Sequence, residues 1–379
     1  MQAMPSNASH DDASIFQVSN SMALFSWLIC DHPGAWKKIA ELETSIVADT
    51  IESVTIDRPV YVSGLARSGS TILLELLAQV QGVVSHCYKD FPPIYTPYAW
   101  HSLLRHMAPG DAKPAERAHK DGILVTQDSP EAMEEPLWMS FFPDAHNPDV
   151  SNVITPGCDD AGFAEFYDST IRKLLAVRDG TRYLAKGNYQ LTRLEYLLDL
   201  YSDAKFVLPV REPAAHIASL VKQHNLFARG QRVNERPRKH LRRMGHFEFG
   251  LDRIPINTGD TNRTAEISSL WNSDQELLGW ARYWNQVYEY VAERLEANPA
   301  LAEASHIVVF EDLCALPAGQ LRRLFAHCGL DVKPEFVAAA AARIKEPTYY
   351  QSDFNDTELE MIATETAATM ARIKNLVAS

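Results

Sequence analysis

A glycine-containing loop between two apolar runs constrains the fold of this chain more than any other part of the sequence. The loop, residues 64–71 (GLARSGST), follows the apolar run 60–62 and precedes the largely apolar run 72–77. A strand that ends at such a loop and continues as a helix directs several backbone N–H groups into one concavity, where the helix dipole adds positive potential. The sequence therefore predicts an anion-binding strand–loop–helix unit within an α/β fold.

The loop has the spacing of a Walker A motif but lacks its lysine. Ser70 occupies the lysine position, and the cation of the loop is Arg67. Without that lysine, the β/γ-phosphate clamp of an ordinary ATPase or kinase is missing. The loop therefore indicates a phosphorylated nucleotide other than Mg·ATP. The residues predicted to bind it are Arg67, Ser68, Gly69, Ser70 and Thr71.

A second strand–helix junction lies farther along the chain. Residues 205–210 (KFVLPV) are typical of a buried strand, which is followed by Arg211 and by Pro213, a residue common in the first turn of helices. Ser219 comes about two helical turns after Arg211, so both can face the same side of the helix. Two such junctions indicate a nucleotide that carries phosphates at two separate positions.

These segments, in this order, resemble the sulfotransferases that use 3′-phosphoadenosine 5′-phosphosulfate (PAPS). In that family the first loop binds the 5′-phosphosulfate, and the later arginine and serine bind the 3′-phosphate. Lys186, at the end of a short apolar strand, matches a family lysine. The resemblance covers about residues 55–345, and segments 306–313 and 321–325 are similar to the last strand and helix of bacterial members.

The resemblance implies a three-layer, P-loop-like α/β fold, with helices on both faces of a central parallel sheet. The alternation of short apolar strands with helical patterns, without a Ser/Gly-rich or Pro-rich linker, predicts a single domain over residues 1–379. This domain is made of a helical extension (1–54), a nucleotide-binding core with helical insertions around the acceptor (55–345) and a C-terminal helix (346–379). Apolar periodicity predicts further strands at 83–86 and 183–185 and helices at 21–50, 98–142, 161–177, 189–201, 266–295 and 356–377.

Composition argues against several other classes of protein. A net charge of −13 argues against general nucleic-acid binding. The five cysteines have no disulfide-like or metal-like spacing, and no apolar run approaches the ~20 residues of a transmembrane helix. The N-terminal residues do not have the pattern of a signal peptide. The sequence therefore predicts a cytoplasmic protein, and it leaves the oligomeric state open.

A basic run at residues 229–243 interrupts this acidic composition. Its charged members are Arg229, Arg232, Arg236, Arg238, Lys239, Arg242 and Arg243, with His240 among them. Two interpretations stay open: a solvated basic surface, or contacts with the 3′-phosphate or with an anionic acceptor.

Sulfuryl transfer needs positioned cations, as phosphoryl transfer does, because charge builds on the bridging oxygen of the departing phosphate. The resemblance implies that Arg67 and Lys186 supply these cations and that 3′-phosphoadenosine 5′-phosphate (PAP) is released. No metal is required, since cationic side chains can neutralise this charge. The acceptor would be a hydroxyl or amine of a small molecule, carbohydrate or lipid, which the sequence does not identify.

The acceptor must lose a proton, so a general base is expected near the first loop. The family's cytosolic small-molecule enzymes carry a histidine two residues after the strand-end lysine, where this chain has Asn188. Asp90 is the preferred candidate, because several bacterial and Golgi-type members place a catalytic carboxylate in this region. His86, Glu134 and Glu135 are the alternatives.

Two functions from other classes stay open. A P-loop kinase or NTPase would need another lysine to replace the one missing at Ser70. A non-catalytic relative of the sulfotransferases would bind PAP, and substitution of Asp90 would change nothing measurable.

Overall fold

Short apolar strands alternate with longer helices in the computed structural model, which describes residues 17–106, 114–116, 124–158, 160–345 and 353–378. The strands are β1 Val60–Val62, β2 Val83–Val84, β3 Ala115–Glu116, β4 Leu124–Val125, β5 Arg182–Lys186, β6 Lys205–Val210 and β7 Ser305–Val309. The helices are α1 Asn20–Cys30, α2 Pro33–Ile46, α3 Ala48–Glu52, α4 Ser70–Ala78, α5 Pro97–His106, α6 Glu135–Phe141, α7 Phe163–Val177, α8 Leu194–Leu200, α9 Pro213–Val233, α10 Glu235–Arg243, α11 Thr261–Trp271, α12 Glu276–Ala297, α13 Pro299–Ala304, α14 Phe310–Ala315, α15 Pro317–His327, α16 Pro334–Ala341 and α17 Asp356–Ala378.

Within the described residues, the main sheet has the strand order β2-β5-β1-β6-β7, and all neighbouring strands are parallel. Val62 of the central strand β1 is paired with Lys186 of β5 on one side and with Val207 of β6 on the other. Because the strands are parallel, their carboxyl ends meet at one edge of the sheet. That edge brings together the loop after β1, the end of β5 and the β6–α9 junction.

Side chains of β1 alternate between two apolar layers. Tyr61 packs in a core that also contains Trp284 of α12, whereas Val62 packs on the opposite face with Leu73 of α4 and Leu324 of α15. Successive side chains of a strand point to opposite faces, so an uninterrupted apolar strand needs cover on both sides. Helices supply that cover on both faces, which confirms the predicted three-layer α/β fold.

Pro209 lies inside β6, although proline is rare in a central strand because it donates no ladder hydrogen bond. The Ser63 N–H donates to the Val207 carbonyl at 2.9 Å, so Val207 faces β1. The backbone nitrogen of Pro209, two residues after Val207, faces the same side. It lies beyond Val62, the last residue of β1, so the missing donor falls outside the β1–β6 ladder. Toward β7 the parallel register continues with Pro209 opposite Val308. The predicted strand 205–210 is therefore confirmed.

The helix predicted at 266–295 is wrong as a single element, because α11 ends at Trp271 and α12 begins at Glu276. The intervening residues bond to the backbone of the preceding turn: Asn272 Nδ2 donates to the Ser268 carbonyl at 2.7 Å, and Ser273 Oγ donates to the Leu270 carbonyl at 2.9 Å. Such bonds compete with helix propagation, and they end α11 here.

The helical region predicted at 98–142 is also interrupted, because the short antiparallel pair β3–β4 lies between α5 and α6. Residues 107–113 and 117–123 of that prediction lie outside the described residues. Residues 1–16 of the predicted N-terminal extension and residues 346–352 of the predicted C-terminal helix lie outside them as well. Among the helices that are described, none is long and apolar enough to cross a membrane.

Candidate active site

The loop between β1 and α4 depends on its two glycines for different reasons. Gly69, just before α4, has φ of 101°, and a Cβ added there would lie 2.6 Å from the Phe310 ring. A Cβ on Gly64 would lie 2.7 Å from the Pro209 carbonyl oxygen. Arg67 also adopts a positive φ, 72°, which is uncommon for a residue with a side chain. The tight loop leaves the N-terminal amides of α4 available for an anion.

Arg67 connects the two segments that the sequence assigns to the nucleotide. Its Nε donates to Ser219 Oγ at 3.3 Å, and Ser219 is buried in α9. Arg211 is buried at the end of β6, with its guanidinium 5.6 Å from the centre of the Phe310 ring. Phe310 therefore lies between Gly69 of the first segment and Arg211 of the second. Sequence reasoning did not assign Phe310 this role as a shared wall.

Lys186 lies next to the loop because β5 is paired with β1. Its Nζ donates to Thr71 Oγ1 at 3.2 Å and to Glu131 Oε1 at 3.0 Å. Tyr88 OH donates to the other Glu131 oxygen at 2.6 Å. The strand-end lysine and the first loop are thus in direct contact, and Glu131 is a carboxylate partner that the sequence did not predict.

Asn188 bonds to a carboxylate from a distant part of the chain. Its Nδ2 donates to Glu248 Oε1 at 2.6 Å, and the other oxygen of Glu248 lies 3.4 Å from His246 Nδ1. Burial lowers the pKa of His246, but the charge and hydrogen bond of Glu248 outweigh burial and raise it above the ordinary histidine value. A histidine–carboxylate pair therefore lies beside Asn188.

These groups meet in one cavity of about 410 Å³. On its polar side the cavity is lined by Arg67, Thr71, Glu131, Lys186, Asn188, His246 and Glu248. The remaining lining is mostly apolar and comes mainly from residues 17–22, from α9 and α10, from β4 and from the segments around Phe91 and Phe249. Its polar members are Gln17, Ser19, Ser70, Tyr88 and His240. The size and the mixture of apolar walls with a few converging polar groups are typical of a small-molecule site.

Asp90 is not among the described residues that line this cavity. It is buried, and it accepts hydrogen bonds from the Cys87 N–H at 2.8 Å and from Arg178 Nη2 at 2.5 Å. His86 Nδ1 lies 3.4 Å from the same carboxylate. Burial alone would raise the pKa of Asp90, but His86 and then Arg178 hold it below its ordinary value. This geometry gives Asp90 and His86 a structural role in the turn and does not support either as the base.

We expect Asp90→Asn to lower the stability of the protein while leaving turnover of the folded variant within a few-fold of the original. The amide leaves the Arg178 guanidinium without a counter-charge at a site where both side chains are nearly buried. Breaking a buried ion pair in this way costs about 3–5 kcal/mol. Thermal unfolding and initial rates measured below the Tm separate the two effects. A 100-fold loss of turnover in the folded variant would instead identify Asp90 as the base.

Glu134 and Glu135, the other carboxylate candidates for the general base, also form hydrogen bonds within the protein. Glu134 is buried and accepts hydrogen bonds from Gln190 Nε2 at 2.8 Å and from two buried tyrosine hydroxyls, and burial raises its pKa. Glu135 accepts two hydrogen bonds from Arg193, at 2.6 and 2.9 Å, and one of its oxygens lies 2.7 Å from His146 Nε2. Burial raises the pKa of Glu135, but Arg193 and His146 outweigh burial and lower it to about 2. Neither carboxylate lines the cavity in the described part of the chain.

Several cations of the basic run face carboxylates of the protein itself. Arg238 and Arg242 lie 2.6 and 2.7 Å from Asp252 Oδ1, and Arg243 lies 2.7 Å from Asp31 Oδ1. For these three arginines, the geometry favours a structural surface over contacts with an anionic ligand.

Comparisons with solved structures find bacterial sulfotransferases. STF1 from Mycobacterium tuberculosis is 15% identical, with 96% of this chain and 94% of that chain covered and a TM-score of 0.46. STF9 from Mycobacterium avium is 17% identical, with coverage of 85% and 80% and a TM-score of 0.48. A sulfotransferase from Alicyclobacillus acidocaldarius is 16% identical, with coverage of 86% and 97% and a TM-score of 0.42. A search of curated proteins gives no match.

The sequence model of one protein family, described as the sulfotransferase family, matches residues 59–254. This range begins just before β1 and includes the first loop, Lys186, the β6–α9 junction and the His246–Glu248 pair. The match spans more than half of the chain, and the protein therefore belongs to the sulfotransferase family.

Proposed function

We propose that this protein transfers the sulfuryl group of PAPS to a hydroxyl group of a small-molecule acceptor and releases PAP. Family membership supports sulfuryl transfer as the reaction. One observation supports PAPS as the donor: the two strand–helix junctions that the sequence predicts to bind anions lie at one edge of the sheet. There Arg67 Nε lies 3.3 Å from Ser219 Oγ. A nucleotide with phosphates on both the 5′ and the 3′ positions matches two such junctions.

The donor set at this edge fits an anionic nucleotide. The amides at the start of α4, with the hydroxyls of Ser70 and Thr71, would bind the 5′-phosphosulfate together with Arg67. Arg211 and Ser219 would bind the 3′-phosphate. Guanidinium groups, hydroxyls and backbone amides are the groups that phosphates prefer in proteins. In this scheme cationic side chains neutralise the phosphate charge, so the reaction requires no metal ion.

Lys186 is positioned to stabilise the charge that develops as the S–O bond to the bridging oxygen breaks. Its Nζ lies 3.2 Å from Thr71 Oγ1, at the first turn of α4, where the 5′ side of the nucleotide would bind. A fixed ammonium group at that point acts on the transition state without having to reorganise. The ion pair with Glu131, at 3.0 Å, holds the ammonium in place before the donor binds.

His246 is the general base in this proposal, in place of Asp90. Glu248 faces Nδ1 of the imidazole, which leaves Nε2 to accept the proton of the acceptor hydroxyl as its oxygen forms the new bond to sulfur. Glu248 also stabilises the imidazolium that results, and Asn188 orients Glu248. Glu131 is less suited to this task because it already accepts hydrogen bonds from Lys186 and Tyr88.

Arg211→Ala should weaken PAP binding by about 10- to 150-fold, the equivalent of losing a charge-assisted hydrogen bond worth about 1.5–3 kcal/mol. The matched control is Arg242→Ala, which removes an arginine that faces Asp252 at the surface and should leave PAP affinity unchanged. Calorimetric titration of both variants, with thermal unfolding to verify folding, checks this expectation. Unchanged affinity in a folded Arg211→Ala variant would remove the 3′-phosphate assignment.

A kinase or NTPase is the second candidate, and one observation favours it. The same contact between Lys186 and Thr71 brings a lysine to the loop whose own Walker lysine is replaced by Ser70. Such an enzyme would prefer Mg·ATP to PAP, so nucleotide selectivity separates the two proposals.

A further inference from the structure

We infer that the acceptor is an uncharged apolar alcohol whose hydrocarbon part packs against the apolar wall of the active-site cavity. This inference rests on the proposed sulfuryl transfer and specifies the acceptor for it. Three features of the cavity support this inference about the acceptor: the packing of its apolar wall, the signs of its charges and the position of its hydrogen-bonding groups.

The apolar wall is built by two groups of side chains. Met22, Phe91, Met133 and Met244 line the cavity and belong to one apolar cluster under the N-terminal helices. Phe227, Leu241 and Phe249 line it from the main core. Methionine side chains are flexible and polarizable, so they adapt to the shape of a hydrocarbon. A wall of this composition favours removal of an alkyl or ring surface from water.

The charges at the cavity argue against an anionic acceptor. In the described part of the chain, the arginine and lysine residues that line it are Arg67 and Lys186, which the proposed function assigns to the nucleotide. The carboxylates of Glu131 and Glu248 line the same space and would repel a second anion. Arg238, Arg242 and Arg243 of the basic run face carboxylates of the protein itself and are not among the described residues that line the cavity.

Hydrogen-bonding groups argue against a carbohydrate acceptor. The groups suited to an acceptor hydroxyl, those of Asn188, His246 and Glu248, lie together beside Lys186. The lining also contains Gln17, Ser70, which the proposed function assigns to the nucleotide, and three polar side chains that bond within the protein: Tyr88 OH donates to Glu131, His240 Nδ1 lies 3.3 Å from Ser26 Oγ, and Ser19 Oγ accepts from the Met22 N–H. A sugar would place most of its other hydroxyls against the side chains of the apolar wall, where they would lose water without gaining partners. An alcohol with one polar end and one apolar end matches this distribution.

The test compares three probes on the PAP-saturated protein by calorimetry: 1-octanol, octanoate of the same chain length and methyl glucoside. We expect 1-octanol to bind saturably and at least tenfold more tightly than either of the others. PAPS turnover with the same probes should follow the same order. Octanoate or methyl glucoside binding as tightly as 1-octanol, or no binding of 1-octanol, would overturn the inference.

A charge-introducing variant sharpens the test. Met244 lines the cavity and is only partly buried, so Met244→Lys adds a cation to the apolar wall. We expect at least a tenfold loss of 1-octanol affinity and a gain of octanoate affinity, with PAP affinity unchanged. The matched control, Leu316→Lys, makes the same change at an exposed residue and should alter none of these affinities. If Met244→Lys does not fold, the wild-type comparison still decides.

The two proposals fail in distinguishable ways. If the wild-type protein does not bind PAP, the proposed donor is wrong. If PAP binds and 1-octanol does not, the sulfuryl transfer stands and only the acceptor class is wrong.

Discussion

His246→Gln should lower kcat by about 10²- to 10⁴-fold, the usual contribution of a general base, while PAP affinity and stability change little. Glutamine keeps a polar side chain beside Glu248 but cannot accept the proton. The variant should also lose the acid limb of the pH profile. In the wild-type enzyme, kcat should rise with pH through the raised pKa of His246, because the neutral imidazole is the active form.

Glu248→Gln is the companion variant, because Glu248 acts through His246. Without the carboxylate, burial dominates and the pKa of His246 falls, so the acid limb should move to lower pH. kcat on the plateau should fall as well, since the imidazolium loses its stabilising charge. Rates from pH 5 to 9 measure both effects. An unchanged acid limb in His246→Gln would contradict the assignment and return the role to a carboxylate.

Lys186→Met should lower kcat by about 10²- to 10³-fold, a loss typical of removing one group that stabilises developing charge. The variant also leaves Glu131 without its ion-pair partner at a site where both side chains are about nine-tenths buried. Its stability should therefore fall by about 3–5 kcal/mol as well. Kinetics and thermal unfolding have to be measured together, because partial unfolding alone would reduce the apparent rate.

The double variant Lys186→Met/Glu131→Gln separates these two effects. Removing the partner charge should restore most of the lost stability, because no buried charge is left without its counter-ion. Turnover should stay low, since the ammonium group is still missing. Recovery of turnover together with stability would mean that Lys186 acts on folding alone.

The two segments proposed to bind the nucleotide could be recognised in the sequence because each is local. The residues of the first loop lie within eight positions, and Arg211 and Ser219 are only eight positions apart, although Arg211 precedes α9 and does not lie in it. Lys186 could be placed because it ends an apolar strand, and the β1–β5 pairing then brings it to the loop. Because paired parallel strands have their carboxyl ends at the same edge of a sheet, this pairing alone is enough to place Lys186 beside the loop.

The proposed base could not be found in this way, because contacts between distant residues create it. Glu248 meets Asn188 across 60 positions, and Glu131 meets Lys186 across 55. The one available signal was Asn188, which stands where the cytosolic small-molecule sulfotransferases carry a histidine and which cannot itself act as a base. The sequence does not tell which segment supplies the base.

Asp90, Glu134 and Glu135 show the converse difficulty. A carboxylate in a turn or at a helix start has the same sequence pattern whether it faces a substrate or an internal partner. Only the fold places Arg178 beside Asp90 and Arg193 beside Glu135, each 58 or more positions away. Burial and ion pairing with these arginines then explain why these carboxylates are absent from the described cavity lining.

Calorimetric titration of the purified protein with PAP, ADP and Mg·ATP decides between a sulfotransferase that reads the 3′-phosphate and a kinase-like enzyme. We expect metal-independent PAP binding that is at least about tenfold tighter than ADP binding, because Arg211 and Ser219 would contact the 3′-phosphate that ADP lacks. A preference for Mg·ATP, or equal affinities for PAP and ADP, would exclude this use of PAPS and favour a kinase-like enzyme.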